Sequence, residues 1–166
     1  MGVKEKMIYV IEGPDGTGKT TLSKAIAEKV GGEILHPGFN KKWNIEKYHK
    51  AFFKLATEFD EMGIPTILDR WAPSEHVYAS VFRGGESYDT DALIKKLGAD
   101  VVWIYCRNDN AVANHFKNQT IRKEMFDDMT EVVKAFDQYV SESPLDWRMY
   151  DYDKVDMNKF VEELPS

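Results

Sequence analysis

One stretch of eight residues limits the fold of this chain more than any other. It reads GPDGTGKT, residues 13–20, and it stands directly between the apolar run MIYVI and a segment with helical periodicity. Its three glycines allow the backbone to curl tightly where side chains would obstruct it. The stretch fits G-x-x-x-x-G-K-[ST] in the place that this motif requires, between a strand and a helix. An ordinary glycine-rich turn is the alternative interpretation.

Short apolar runs alternate with amphipathic segments along the rest of the 166 residues. The intervening segments repeat apolar residues with helical spacing, as at Leu22, Ile26 and Val30. The alternation predicts an α/β fold with a mostly parallel sheet, helices on both faces and ligands at the carboxyl ends of the strands. We find no repeat or linker, so we expect one domain over residues 1–166. The predicted strands are 7–11, 33–35, 65–68, 101–106 and 148–152.

Composition excludes several classes of function. The net charge of −6 argues against a polynucleotide ligand, because a duplex-binding protein normally presents a broad basic face. No run approaches the roughly 20 apolar residues of a membrane-spanning helix, and the N-terminus lacks the apolar region of a signal peptide. The single cysteine, Cys106, lies in an apolar run and is expected in the core. We therefore expect a cytoplasmic protein with small-molecule ligands and no membrane association.

The glycine-rich motif predicts a nucleotide-phosphate site. Backbone N–H groups would surround the phosphates at a helix N-terminus, Lys19 would reach the β- and γ-phosphates, and the Thr20 hydroxyl would coordinate Mg²⁺. ATP and Mg²⁺ are the cofactors that this chemistry implies. The residues predicted to bind ATP are Gly13, Asp15, Gly16, Thr17, Gly18, Lys19, Thr20 and Thr21.

A second motif follows the third predicted strand. In PTILDRWAPSEHVY, Asp69 and Arg70 come at the carboxyl end of that strand, so both should project toward the phosphate loop if the strand lies beside the first. A carboxylate there can hold the magnesium shell, and a guanidinium can bridge two phosphate groups. We therefore predict Asp69 as a metal-binding and catalytic residue, and Arg70, like Lys19 of the phosphate loop, as a catalytic residue. A surface Asp–Arg pair is the alternative.

The chain resembles the thymidylate kinase family of nucleoside monophosphate kinases. The resemblance rests on IEGPDGTGKTTL, on DRWAPSEHVY beside the family's DRY-x-x-S-x-x-x-Y type of motif, and on VVWIYC with the helix and lid-like segment that follow. It implies a five-stranded parallel sheet, a homodimer, and transfer of the γ-phosphoryl of ATP to the 5′-phosphate of a deoxynucleotide, dTMP above all.

The same resemblance implies roles for single residues. Asp15 would contact the deoxyribose 3′-hydroxyl, Arg70 would hold the acceptor phosphate, and Ser74 and Tyr78 would line the nucleoside pocket. Each has a simpler alternative: a turn former for Asp15, a helix cap for Ser74 and core packing for Tyr78.

The chain departs from the family where the base should be read. The family's stacking aromatic and base-reading arginine fall at Ile45 and His49, and His36 precedes Pro37 where the family carries a glutamate. Tyr48 or Phe52 on the same helix could stack on the base instead, with core packing as the alternative. His49 could bond a base carbonyl, or be a surface residue. We include His36, His49 and Phe52 among the predicted substrate-binding residues.

A lid is predicted at residues 115–126, HFKNQTIRKEMF, between the helix after the fourth strand and the next amphipathic helix. Because the phosphate loop offers no arginine, Arg122 is the predicted lid cation that stabilises the transferring phosphoryl group. A basic helical surface is the alternative interpretation of this segment.

Two other functions remain open from the sequence. A deoxynucleoside kinase would need a positioned base to deprotonate a sugar hydroxyl, and Pro37 with Trp43 resembles that group's Glu-Pro-Val element, although His36 replaces the carboxylate. A non-catalytic nucleotide-binding switch is the second. The acidic stretch 151–156 lacks the glycine turn and closing glutamate of a calcium loop, so a solvated turn is expected there.

Overall fold

The sheet of the computed structural model has five parallel strands in the order β2-β3-β1-β4-β5. The structure describes residues 8–97, 100–117, 120 and 122–165. The predicted strands are confirmed within one or two residues at their ends. The strands are β1 Ile8–Glu12, β2 Glu33–Leu35, β3 Thr66–Asp69, β4 Val101–Cys106 and β5 Trp147–Tyr150.

The strand order brings the two sequence motifs together. β1 lies between β3 and β4, and Ile11 pairs with Asp69 in the β1–β3 register. The backbone N–H of Arg70 extends this pairing by donating to the Ile11 carbonyl at 2.9 Å. The phosphate loop after β1 and the Asp69–Arg70 pair at the end of β3 are therefore neighbours at the carboxyl edge of the sheet.

Seven helices are described, and local signals set several of their ends. Asn44, Asp89 and Asp156 accept hydrogen bonds from backbone N–H groups in the first turns of α2, α4 and α7. α1 ends at Gly31, a C-cap in the left-handed conformation. The helices are α1 Lys19–Val30, α2 Ile45–Glu61, α3 Ala72–Phe82, α4 Thr90–Lys96, α5 Ala111–His115, α6 Lys123–Glu142 and α7 Met157–Glu162.

Apolar residues cover both faces of the sheet, as a parallel sheet requires. On one face Val10 and Leu68 pack with Trp71 and residues of α2 and α4. On the other face Ile11 and Ile104 pack with the apolar side of α1 and α7. Each such fully buried aliphatic side chain stabilises the fold by about 1.5–3 kcal/mol.

A third apolar cluster fixes the direction of α3. Val77 of α3 and Tyr105 of β4 pack with Val132 and Phe136 of α6, and all four are buried. Because α3 follows Arg70 directly, this cluster determines where the side chains of α3 lie relative to the phosphate loop. No helix among the described residues has the length and apolarity to span a bilayer.

Candidate active site

The phosphate loop packs closely against neighbouring backbone. Gly13 has φ 144° and Gly16 has φ 81°. A Cβ on Gly13 would overlap the carbonyl oxygen of Cys106 at the end of β4, and one on Gly16 would overlap that of Ala111 in α5. Both glycines are thus required by close approach as well as by conformation.

Lys19 lies along the inside of this loop. It is buried, and its Nζ donates to the carbonyl oxygen of Pro14 at 2.7 Å. Burial, with the nearby Arg70 guanidinium, lowers the pKa of Lys19 to about 8, so the ammonium is largely protonated at neutral pH. A buried ammonium held on a single carbonyl is well suited to bind phosphate oxygens in its place.

A cavity of about 200 Å³ lies between the loop and the end of β3. It brings together most of the residues predicted to bind ATP, but Gly13 and Thr17 lie outside its lining. Thr17 is buried and donates its hydroxyl to Pro14 O at 2.7 Å. The lining residues of this cavity, called the phosphate cavity below, are Asp15, Gly16, Gly18, Lys19, Thr20, Thr21, His36, Asp69 and Arg70.

Arg70 has a left-handed backbone with φ 72°, which is uncommon for a residue with a side chain. Its Nη2 donates to Asp15 Oδ1 at 2.5 Å, and its Nη1 lies 3.4 Å from Ser74 Oγ. Its guanidinium carbon lies 5.2 Å from the centroid of the Tyr78 ring. Burial alone would raise the pKa of Asp15, but Arg70 and Lys19 outweigh it and hold that pKa below its ordinary value. Strained backbone of this kind is typical of functional sites.

The structure adds a buried carboxylate that the sequence analysis did not select. Glu12, the last residue of β1, accepts from the backbone N–H of Trp71 at 2.6 Å and from the Ser74 hydroxyl. Burial raises the pKa of Glu12 to about 7, although both hydrogen bonds oppose the shift. The sequence contains a signal for this residue. A glutamate at the end of an apolar strand is a carboxyl group that becomes buried and needs hydrogen-bond partners.

Asp69 has one oxygen engaged and one available. Its Oδ2 lies 3.1 Å from His36 Nδ1, while its buried Oδ1 has no hydrogen-bond partner among the described residues. Mg²⁺ in nucleotide sites takes one or two protein oxygens together with phosphates and water. Asp69 and the exposed Thr20 hydroxyl, both lining the phosphate cavity, fit that requirement.

A larger cavity of about 570 Å³ adjoins the phosphate cavity, and Asp15, His36 and Arg70 line both. We call it the acceptor cavity. Of the predicted substrate-binding residues it contains Asp15, His36, His49, Arg70, Ser74 and Tyr78. Its other lining residues, which were not among the predicted substrate-binding residues, are Pro37, Gly38, Phe39, Lys41, Trp71, Glu75, Phe82 and Arg83.

Phe52, also predicted to bind substrate, does not line the acceptor cavity. Its ring packs against the apolar core and makes an edge contact with Tyr48 at 4.9 Å between ring centroids. Tyr48 also contacts Trp43 at 4.9 Å and lies outside the lining. Core packing therefore describes Phe52, while the half-buried Tyr48 packs beside the exposed Trp43 and accepts from the backbone N–H of Gly38 at 3.2 Å.

His49 is buried rather than on the surface. Its Nδ1 lies 2.6 Å from the Tyr88 hydroxyl, and the Trp71 indole N–H donates to its backbone carbonyl at 3.0 Å. Burial lowers the pKa of His49 to about 4 despite the nearby Glu75 carboxylate, so the imidazole is neutral at pH 7.

The predicted lid is described only in part, since residues 118, 119 and 121 lie outside the described residues. Arg122 is exposed at the N-cap of α6, and it lines neither cavity. Arg107, which follows β4, donates to Asp137 at 3.0 Å and to Asp109 at 2.5 Å. The catalytic role of Arg122 stays a prediction.

The acidic stretch 151–156 forms a turn followed by a helix cap. Asp151 and Asp153 accept from the side-chain amide of Asn108 at 3.0 and 2.8 Å, and Asp156 caps α7. Within the described ranges no group of three or more His, Cys, Asp or Glu side chains is arranged to hold a metal.

The chain can be compared with known proteins in sequence and in structure. No protein-family model matches the chain. Over 84 residues, 50% of the chain, it is 32% identical to a protein of Acidianus bottle-shaped virus (isolate Italy/Pozzuoli) that carries the provisional name thymidylate kinase, and the match covers 54% of that protein. Over 47 residues it is 49% identical to a provisionally named gluconokinase of Schizosaccharomyces pombe, covering 22% of that protein. The chain therefore spans about half the length of the first relative and about a fifth of the second.

Solved structures resemble the chain over nearly its whole length. The YorR protein of Bacillus subtilis, solved in complex with phosphorylated GDP, has a TM-score of 0.75 at 21% identity over 94% of this chain and 92% of its own. Deoxyadenosine kinase of M. mycoides, solved with dCMP and dCDP, has a TM-score of 0.56 at 18% identity over 94% and 95%.

Together with the phosphate loop, these likenesses define the class: the chain has the α/β fold of P-loop nucleoside kinases, and the predicted fold class is confirmed. At these sequence identities the structural similarity shows the fold alone and not the function. In sequence, half of the chain is also similar to the viral protein that is provisionally named thymidylate kinase.

Proposed function

We propose that this chain transfers the γ-phosphoryl group of ATP to the 5′-phosphate of a deoxynucleoside monophosphate, with dTMP as the preferred acceptor. One observation carries the proposal: the phosphate cavity and the acceptor cavity share a wall built by Asp15, His36 and Arg70. A donor phosphate chain in the first cavity and an acceptor in the second would meet at a guanidinium.

The described side chains can perform most of such a transfer by positioning and charge. The loop N–H groups and Lys19 would hold the β- and γ-phosphates, and Arg70 would align the acceptor phosphate with the γ-phosphorus. An acceptor phosphate oxygen then bonds to the γ-phosphorus while the bond to the β–γ bridging oxygen breaks, and ADP leaves. Mg²⁺ held by Thr20 and Asp69 would supply further neutralisation of phosphate charge.

The state of the carboxylates supports a phosphate acceptor. A sugar hydroxyl needs a base to take its proton, whereas a nucleotide phosphate is already ionised. Asp15 is paired with Arg70, and Glu12 accepts two hydrogen bonds in the interior. Asp15 lies at the shared wall but is paired with Arg70, and Glu12 lines neither cavity, so neither of these two carboxylates is a free base there.

A deoxynucleoside kinase is the second candidate, and one contact favours it. His36 lies at the shared wall with its Nδ1 3.1 Å from Asp69 Oδ2, an orientation by which a carboxylate can align an imidazole that accepts a proton at Nε2. Deoxyadenosine kinase of M. mycoides is also among the structural neighbours.

A coupled assay of ADP release with dTMP, dUMP, dGMP and thymidine as acceptors separates the candidates. We expect turnover with dTMP and little with thymidine. Turnover with thymidine alone would replace the proposal by a deoxynucleoside kinase, and nucleotide binding without turnover on any acceptor would leave a non-catalytic switch.

A further inference from the structure

The acceptor cavity has two chemically different ends, set by α3. Arg70 precedes this helix and Arg83 follows it, and Ser74, Tyr78 and Phe82 line the cavity at intervals of four residues along one side. The 11 residues of the helix span about 16 Å. A nucleotide whose phosphate contacts Arg70 would therefore extend its base toward Arg83.

Arg83 is held at that end by a buried carboxylate. Its Nη1 and Nη2 donate to the two oxygens of Glu75 at 3.0 and 2.6 Å, and Ser87 donates to Glu75 from its backbone N–H and hydroxyl at 3.3 and 3.0 Å. Burial alone would raise the pKa of Glu75, but the bonds from Arg83 and Ser87 outweigh it and keep that pKa below its ordinary value. The carboxylate is thus ionised and accepts four hydrogen bonds, and the N–H groups of Arg83 that Glu75 does not use are the donors that the pair offers to a ligand.

An aromatic ring covers one face of the guanidinium. Phe39 lies with its ring centroid 4.4 Å from the Arg83 guanidinium carbon. A guanidinium has five N–H groups, and Glu75 takes two of them. The remaining N–H groups point outward from the edge of the guanidinium. They can donate to a ligand that lies in the guanidinium plane, beside the Phe39 ring.

His49 adds a second donor to the same cavity. The Tyr88 hydroxyl, whose pKa is raised mainly by burial, lies 2.6 Å from Nδ1 of the neutral His49, and we assign the hydroxyl as the donor of this hydrogen bond. That assignment puts the imidazole proton on Nε2. The carbonyl of His49 is already bonded to the Trp71 indole, so it offers no free acceptor in its usual direction.

We propose that this end of the acceptor cavity selects a keto base, thymine, uracil or guanine, with Arg83 as the residue that determines specificity and Glu75 as its positioning residue. The proposal rests on the proposed function and deepens it. A base carbonyl accepts from Arg83 and His49. The exocyclic amino group of cytosine or adenine is itself a donor, so it could not accept from these two side chains. Phe39, Trp71 and Phe82 supply apolar walls for the base ring.

The test compares kcat/KM for dTMP and dGMP with that for dCMP and dAMP. We expect the wild-type protein to prefer the keto acceptors by about tenfold or more, since one good pair of hydrogen bonds discriminates by about 1–3 kcal/mol. Arg83→Met should bring the two groups within about threefold of each other, mainly through a higher KM for the keto acceptors. Arg148→Met, which removes an arginine from β5 outside both cavities, is the matched control and should leave the ranking unchanged.

Glu75→Gln tests the positioning role. It leaves the guanidinium in the chain but weakens the two-oxygen contact that holds it, so the keto preference should fall, with KM for dTMP rising by a larger factor than kcat falls. Circular dichroism and thermal unfolding check that each variant folds. If Glu75→Gln does not fold, base selection is tested by the wild-type ranking of acceptors and by Arg83→Lys. This variant keeps the charge and loses the fork, so it should also lower the keto preference.

Failure of this inference differs from failure of the proposed function. Equal kcat/KM for all four acceptors, or a preference for dCMP or dAMP, overturns base selection and leaves phosphoryl transfer intact. Absence of turnover with every acceptor overturns the proposed function, and calorimetric binding of thymidine and deoxyguanosine against deoxycytidine and deoxyadenosine then tests base selection directly. Tighter binding of the first pair, weakened in Arg83→Met, supports the inference, and equal binding overturns it.

Discussion

The guanidinium of Arg70 donates to the carboxylate of Asp15 at 2.5 Å, and this contact joins the turn after β3 to the phosphate loop at the wall between the two cavities. Both residues line both cavities, so the pair lies where a donor phosphate and an acceptor phosphate would meet. The consequences can be tested residue by residue.

Arg70→Lys keeps a positive charge at the shared wall and loses the planar fork. We expect kcat/KM to fall by about 10- to 100-fold, and by similar factors for dTMP, dUMP and dGMP, because in the proposed function Arg70 holds the acceptor phosphate and does not read the base. Steady-state kinetics with the three acceptors check this. A variant that changes the ranking of acceptors would show that Arg70 reads the base.

Lys19→Ala removes the ammonium from the phosphate loop. We expect kcat to fall by at least about 10³-fold while the far-UV circular dichroism spectrum is retained, since catalysis of this type is mostly electrostatic. Lys24→Ala, at an exposed position of the same helix, is the control and should keep wild-type turnover. Near-wild-type kcat in folded Lys19→Ala contradicts the assignment.

His49→Ala should change the ranking of acceptors more than the rate with the best one. The buried neutral imidazole lines the acceptor cavity, and its Nε2 proton is one of the two donors assigned to the base. We expect the preference of dTMP over dCMP to fall about fivefold or more. An unchanged ranking with lowered kcat for every acceptor would make His49 a structural partner of Tyr88 only.

Glu12→Gln should alter the pH dependence of stability. Burial raises the pKa of Glu12 from 4.5 to about 7 in the folded protein, so the folded state keeps a proton that the unfolded chain has released. The wild-type protein should therefore lose stability as the pH rises from about 4.5 to 7, by about 3 kcal/mol from this residue. Glutamine does not titrate and should lack that loss.

Urea unfolding of both proteins at pH 5 and pH 7.5 measures the effect as a difference. Other groups, His49 included, titrate in both proteins and cancel to first order. A difference between the two proteins that is the same at both pH values would mean that Glu12 has an ordinary pKa.

Arg122→Ala tests the lid. We expect kcat to fall by about 10²- to 10³-fold with little change in acceptor binding, the pattern of a contact made mainly in the transition state. Lys117→Ala and Arg107→Ala are the comparison variants. Unchanged kcat in Arg122→Ala with a loss in either of the others moves the role to that residue.

The phosphate loop, Asp69 with Arg70 and the five strands could be predicted from the sequence because their signals are local. A glycine-rich turn between a strand and a helix is read from spacing, and strands are read from apolar runs. Register then determined that Asp69 pairs with Ile11, which brought the two motifs to one edge of the sheet.

The sequence by itself determined the class of fold and the position of the glycine-rich phosphate loop, because both depend on patterns within about ten residues. The tertiary structure decided which side chains line the acceptor cavity. Phe39 and Arg83, far apart in the chain, meet there, while Phe52 packs into the core. It also decided that Glu12 is buried beside α3 with a raised pKa. Burial and contact depend on how helices pack across the sheet, a long-range property that no short stretch of sequence contains.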